Sequence, residues 1–163
     1  MTYTTVLQGP LADRDAWSAV GHCPIEKTMA IAGTKSAMLI MREAFYGTTR
    51  FDDFARRVGI TKAATSARLS ELVDAGLLSK QPYREPGQRS RDEYVLTDAG
   101  TAFMPVVWAM FEWGRTHVAD SRLRLTHLGC GAEATVEIRC GDGHDVPPDE
   151  LGVRLARRTP SNA

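Results

Sequence analysis

Between Arg50 and Leu96 the chain carries two helix signals and a hairpin signal with almost no slack between them. Phe51, Phe54, Ala55 and Val58 recur at i, i+3, i+4 and i+7, the apolar stripe of one amphipathic helix. Gly59 follows as a stop, because glycine enters the left-handed conformation that ends a helix. Thr61 stands where an N-cap belongs, its hydroxyl able to accept a free amide of the next turn. On the second helix, Thr61 to Ala75, Thr65, Leu69 and Leu72 point one way. Lys62, Ala63, Ser66, Ala67 and Ser70 gather on roughly the opposite side at ~100° per residue.

That outer face is small, hydroxylated and nearly free of carboxylates until Glu71. Small side chains let a helix backbone approach base edges, Ser and Thr contact phosphates or bases, and alanine meets a thymine methyl group. A helix packed on another protein surface also favours small residues, so the face alone leaves both readings open. The following segment weighs towards DNA. Leu78 to Tyr83 and Asp92 to Leu96 are two short strand candidates flanking Arg84-Glu85-Pro86-Gly87-Gln88-Arg89-Ser90-Arg91, a turn-rich tip with three arginines. From Arg50 to Arg91 nine basic residues face five acidic ones, inside a chain whose whole formal charge is zero. The basic charge is local, as a phosphate-binding face requires. Helix, tight turn, helix and basic hairpin are the order of a winged helix-turn-helix. The candidate DNA-binding residues are Thr61, Lys62, Ala63, Ser66, Ala67 and Arg68 on the helix, with Arg84, Gln88, Arg89 and Arg91 on the wing.

At 163 residues the chain has room for one real core and a small appendage. No apolar run approaches the ~20 residues of a membrane helix, and the N-terminal segment lacks a basic region followed by a continuous apolar one. Three cysteines without an export signal fit a reducing compartment, so a cytoplasmic location and no membrane partner are expected. Nothing catalytic is expected either: there is no glycine-rich phosphate loop, no nucleophile elbow and no carboxylate pair set in apolar sequence. Asp52-Asp53 opens a helix, where acids complement the dipole without doing chemistry.

Flanking helices complete the central unit. Pro24 suits a first helical position, with Ile25, Met29 and Ala32 repeating until Gly33; a second apolar stretch runs from Ala37 to Phe45. Thr97-Asp98-Ala99-Gly100 caps a long helix on which Phe103, Val106, Val107, Trp108, Met110, Phe111 and Trp113 cover a wide arc, with Pro105 as a kink or in the first turns. So wide an apolar arc suits burial across a twofold axis, and a reader of palindromic half-sites needs a homodimer.

These segments together resemble the HxlR-type transcriptional regulators, winged helix-turn-helix proteins of bacteria and archaea. The resemblance runs from about Cys23 to His117 and is carried by CPIEKTMAIAGTKSAMLIMREAFYGTTRFDDFARRVGI, SARLSELVDAGLL, EYVLTDAG and MPVVWAMFEWGRTH. It implies a dimer that binds a double-stranded, palindromic operator through the Thr61–Ala75 helix and the Arg84–Arg91 wing. It also implies dimerisation through the N-terminal region and the long C-terminal helix. The expected function is that of a dimeric repressor responding to a small molecule or a redox signal. Some regulators similar to this one sense oxidants or electrophiles with the cysteine of the CP motif, which makes Cys23 the candidate sensor. Two positions depart from the family: Ser36 stands where tryptophan is usual, opening volume that neighbours refill or a ligand occupies, and Thr65 stands where leucine is usual. A winged-helix module that binds a protein partner rather than DNA is the alternative reading.

Beyond the resemblance, His127-x-x-Cys130-Gly131 and Cys140-Gly-Asp-Gly-His144 are two pairs of zinc-type ligands on glycine-containing turns, joined by Thr135 to Arg139, which alternates like a strand. The pattern resembles a shortened zinc ribbon, with His127, Cys130, Cys140 and His144 as candidate ligands of a structural zinc; a metal-free β unit docked on the main domain is the other outcome. The expected fold is therefore α+β and mainly α: a winged helix-turn-helix with flanking dimerisation helices and a small C-terminal β-rich appendage. The expected division is an N-terminal arm at 1–21, the DNA-binding and dimerisation domain at 22–120, the β unit at 121–152 and a disordered tail at 153–163.

Overall fold

The computed structural model describes residues 4–84, 86–87, 90–118 and 120–156. They fall into two compact units, one from His22 to Val136 and a smaller one that joins the N-terminal segment up to Gly21 with the chain from Glu137 onward.

In the larger unit Cys23 is the N-cap of α1 (Pro24–Ala32), with Pro24 in the first turn, where a missing amide costs nothing. Thr34 caps α2 (Lys35–Phe45), accepting the Ala37 amide at 3.2 Å. The helix-turn-helix follows as α3 (Phe51–Val58) and α4 (Lys62–Asp74). Gly59 sits at φ 73°, a left-handed backbone that a side chain would strain, and its amide closes α3 onto the Ala55 carbonyl. Strands β2 (Leu78–Tyr83) and β3 (Arg91–Leu96) pair antiparallel with Leu78 opposite Leu96 and Tyr83 opposite Arg91. Thr49 and Arg50 add a short third rung on the outer side of β3: the Tyr94 amide donates to the Thr49 carbonyl at 2.8 Å, and Arg50 bridges Glu93.

The core lies where α2, α3, α4 and the root of the hairpin meet. Ile40, Met41, Phe54, Leu69, Leu72 and Leu78 are all but inaccessible, and Phe54 meets Tyr94 edge-on with centroids 6.4 Å apart. Packing of the α3 stripe on α2 and α4 fixes how α4 projects from the domain. Gly100 is needed at the hairpin's exit, because a Cβ there would run into the Leu77 carbonyl.

The single long helix expected after Thr97 is two helices. Thr97 caps α5 (Asp98–Ala102), accepting the Gly100 amide at 3.0 Å, and α6 (Met104–His117) starts afresh. Pro105 supplies the reason: it has no amide for the Thr101 carbonyl, so it occupies the first turn of a new helix. The chain at 122–136 stays with this unit. Leu125 accepts the Ala134 amide at 2.9 Å, and the Glu112 carboxylate on α6 accepts the Val136 amide at 3.1 Å.

In the smaller unit β1 (Val6–Leu7) runs parallel to β4 (Gly152–Val153), held by Val6 N–H to Leu151 O at 2.8 Å and Gln8 N–H to Val153 O at 2.9 Å. These bonds redraw the expected division. The N-terminal arm is paired with the C-terminal segment, the stretch 121–152 is shared between the two units, and Val153 belongs to a strand rather than to a disordered tail; 157–163 lie outside the described residues. The alternation from Thr135 to Arg139 does not form a strand. The Val136 amide is taken by Glu112, and the bonding around Arg139 is an isolated bridge to Asp145.

Candidate nucleic-acid interface

The cap at Thr61 builds the first part of the interface. Its hydroxyl accepts the Ala64 amide at 3.2 Å and starts α4 immediately after the Gly59 turn. Thr65, Leu69 and Leu72 are buried beneath the helix, and Lys62, Ala63, Ser66, Ala67 and Ser70 are exposed together above it. Thr65 fits its apolar surroundings by donating its hydroxyl to the Thr61 carbonyl at 2.9 Å. Arg68 is half-buried and paired with Glu71 one turn on, so its guanidinium is already engaged within the helix.

The wing contributes the second part. Arg91 opens β3 and is exposed; Arg84, just past β2, is exposed as well. Gln88 and Arg89 lie outside the described residues. Three residues that sequence reasoning did not place in the site join it: Asp52, Arg50 and Tyr83. Asp52, on the first turn of α3, holds Lys62 Nζ at 2.7 Å. The Lys62 hydrogen bond and charge keep the Asp52 carboxyl below the usual carboxylate range, against a small opposing effect of burial and with a further contribution from Arg91. Arg50 spreads its guanidinium over the Tyr83 ring, 3.1 Å from the centroid, and stands 3.6 Å from Glu93 Oε2. Arg50, Asp52, Tyr83, Arg91, Asp92 and Tyr94 line an open cleft of about 400 Å³ between α3 and the wing. One signal for Arg50 was available: it occupies the N-cap of α3, where Ser, Thr, Asp or Asn is usual, and its side chain makes no capping bond.

The other sequence candidates are placed as follows. Cys23 is half-buried at the start of α1, its carbonyl accepting the Lys27 amide at 3.1 Å. Ser36 is half-buried, its hydroxyl 3.4 Å from that of Thr34. His127 and Cys130 meet, Nδ1 to Sγ 3.1 Å, on a turn closed by Gly131 N–H to His127 O at 2.8 Å. Cys140 and His144 share a second turn, closed by Gly143 N–H to Cys140 O at 2.9 Å and Cys140 N–H to His144 O at 3.0 Å. The backbone amides of Asp142 and His144 hold the exposed Cys140 thiol below its usual range. The first turn belongs to the larger unit and the second to the smaller; among the described residues no three His, Cys, Asp or Glu side chains are gathered as a metal centre.

A helix capped at Thr61, joined through a glycine turn to the helix before it and followed by an antiparallel hairpin, defines a winged helix-turn-helix. The model of the HxlR-like helix-turn-helix family matches residues 31–122. An uncharacterised HTH-type transcriptional regulator of Mycobacterium tuberculosis is 32% identical over 119 residues, spanning 71% of this chain and 74% of the relative. Among solved structures, PA1607, provisionally described as a transcription factor, superposes with a TM-score of 0.72 at 31% identity over 85% of this chain and 97% of its own. The redox regulator HypR in its oxidised form superposes with a TM-score of 0.54 at 30% identity over 60% of this chain and 99% of its own. The chain belongs to the HxlR-like helix-turn-helix family and is a transcriptional regulator rather than an enzyme. Among the described residues, no helix is long and apolar enough to cross a membrane.

Proposed function

We propose that the protein is a homodimeric repressor that reads a palindromic operator with α4 in the major groove and the β2–β3 wing along the flanking backbone. The observation that carries this reading is the exposed face of Lys62, Ala63, Ser66, Ala67 and Ser70, to which α4 itself contributes no carboxylate, raised by the Thr61 cap beside a wing that carries Arg84 and Arg91. Support for the dimer comes from apolar side chains left in solvent on α1 and α6: Ile25, Met29, Met110 and Trp113 are each more than half exposed. An apolar pocket of about 170 Å³ on α2 and α6, lined by Met38, Leu39, Val107, Trp108 and Phe111 with Arg42, supports a small apolar effector. The test is binding to a duplex selected from a random pool, titrated against salt. Arg84→Ala and Arg91→Ala weaken binding to all sequences and flatten the salt slope by about 0.9 per lost phosphate contact, whereas Ser66→Ala changes the selected sequence. Selection that yields no duplex, together with salt-insensitive capture of a protein, favours the protein-binding module.

Two further roles belong to this reading. Cys23, at the N-terminus of α1, is the proposed redox sensor, supported by its helix-start position and by the likeness to a regulator solved in reduced and oxidised forms. Treatment with diamide lowers the DNA affinity of wild type and leaves Cys23→Ser unchanged; equal responses remove the sensor. His127, Cys130, Cys140 and His144 are the proposed ligands of one structural zinc, supported by the donor chemistry of the two turns and by the amides that favour a Cys140 thiolate.

A further inference from the structure

We infer that Arg50 is a positioning residue for DNA binding: it rivets the wing to α3 and sets the angle at which the wing meets the DNA backbone. The inference rests on the reading of β2–β3 as a DNA-contacting wing. Arg50 belongs to neither contacting element, yet it touches both strands of the hairpin. Its backbone bridges Glu93 on β3, its guanidinium covers the Tyr83 ring at the far end of β2, and its Nη1 stands 3.6 Å from the Glu93 carboxylate. Beside it, the Tyr94 amide donates to the Thr49 carbonyl. The root of α3 and the outer half of the wing are therefore joined by one side chain.

Leverage makes that junction matter. The outer half of a six-residue strand is about 10 Å long, so a pivot of about 10° at its middle carries the end some 1.7 Å, enough to break a hydrogen bond to phosphate. The backbone rung at Thr49 and Arg50 meets β3 near its middle and leaves the outer half free to pivot. Tyr83 is the last residue of β2, adjacent to Arg84, so the stack on Tyr83 acts at the end that needs restraint. Arginine suits the task because its flat guanidinium stacks on a ring and presents edge donors to a carboxylate at once; a lysine ammonium does only one of these at a time.

The geometry is also incompletely closed. Arg50 Nη1 is shut off from solvent and, among the described residues, has no hydrogen-bond partner, with Glu93 Oε2 just beyond bonding range. A wing movement of just under 1 Å brings the pair to the ordinary charge-assisted distance of about 2.7–2.9 Å. DNA that presses the wing inwards thus meets a contact that tightens as the wing seats.

The experiment is hydroxyl-radical footprinting on a duplex selected by the wild-type protein from a random pool, with the salt slope measured in parallel. Wild type protects the major-groove centre of each half-site and the sugars flanking it; absence of the flanking protection in wild type defeats the wing reading itself, independently of Arg50. Arg50→Ala is expected to keep the central protection, lose the flanking protection and flatten the salt slope by about 1–2, the share of the wing's phosphate contacts. Tyr83→Ala, which removes the other half of the stack without touching the core, is expected to give the same pattern, and the double variant to be no worse than either single one. Arg50→Lys separates position from charge: flanking protection restored by lysine shows a point charge acting directly and overturns the inference. So does flanking protection retained in Arg50→Ala or Tyr83→Ala.

Discussion

Lys62 Nζ stands 2.7 Å from Asp52 Oδ1, so the first residue of α4 is ion-paired with the helix before it. Under the proposed docking of α4, this carboxylate competes with DNA phosphate for the same ammonium. Asp52→Asn releases Lys62, and the expected outcome is tighter binding with a salt slope steeper by about 0.9. The pH dependence follows from the direction of the Asp52 shift. A depressed carboxyl contributes stability above its unfolded pKa and loses it as pH falls through the lower folded value. Between about pH 5 and 8 the carboxylate stays ionised, so this pair adds no pH dependence to wild-type binding in that window, and Asp52→Asn is tighter at both ends. Equal affinity and slope in the two proteins would show that Lys62 does not meet phosphate.

Glu43 is the buried counterpart of such a pair. It accepts from Arg42 Nη2 at 2.6 Å and from the Thr48 hydroxyl at 3.5 Å, and Thr48 in turn accepts from Arg57 on α3 at 3.0 Å. This chain of contacts ties the α2–α3 connection, the segment that delivers the helix-turn-helix to its place. Glu43→Ala leaves Arg42 and the buried Thr48 short of an acceptor, at a cost of about 1–3 kcal/mol. Urea unfolding checks it through a lower midpoint at unchanged slope; a loss under about 0.5 kcal/mol would place Glu43 with ordinary surface residues.

The parts of this molecule that sequence made legible are those whose signals are local. Phe51, Phe54, Ala55 and Val58, the Gly59 stop and the Thr61 cap each act within a few residues, and α3, the turn and α4 lie where those signals put them. The α5–α6 break escaped because Pro105 suits both a kink and a first turn, and only the fold chooses. The alternation from Thr135 to Arg139 misled because a two-residue period needs a partner strand, and the Val136 amide has Glu112 instead. Pairing of Val6 with Gly152 joins opposite ends of the chain, which no local pattern encodes. Arg50 and Asp52 counted only as charges, since their partners Tyr83, Glu93 and Lys62 are brought to them by the tertiary fold.

The exposed face of α6 carries the dimer prediction. Trp113 is 62% exposed, and with Ala109, Met110, Gly114 and Val118 it lines an open apolar groove of about 640 Å³. A tryptophan so exposed adds little to the fold of one subunit, so Trp113→Glu is expected to leave thermal stability nearly unchanged while abolishing the dimer. Light scattering at micromolar concentration should then give the mass of one chain. Operator affinity should fall by about 10²–10⁴, the advantage of two linked half-sites over one. A Trp113→Glu protein that remains dimeric takes α6 out of the interface.

The last prediction concerns the His and Cys turns. Among the described residues of the smaller unit, Leu11 is the one buried hydrophobic side chain; Val6, Ile138, Val153 and Leu155 are all exposed. A parallel pair of two-residue strands with so little apolar burial falls short of what a small unit needs to hold itself together, and small units make up the difference with metals, disulfides or partners. Cys23, Cys130 and Cys140 are all free, so no disulfide braces the unit in this structure. The proposed zinc would draw Cys140 and His144 from this unit, and its binding would convert directly into folding energy because the unfolded chain scatters the ligands. Protein purified without chelator or histidine tag is expected to carry about one zinc per chain. Cys130→Ser and Cys140→Ser should each lose the metal and expose the chain beyond Glu137 to protease, with the helix-turn-helix still folded. Metal-free protein whose segment from Glu137 resists protease as well as the rest of the chain would sink the zinc site and assign the stability of that unit to packing alone.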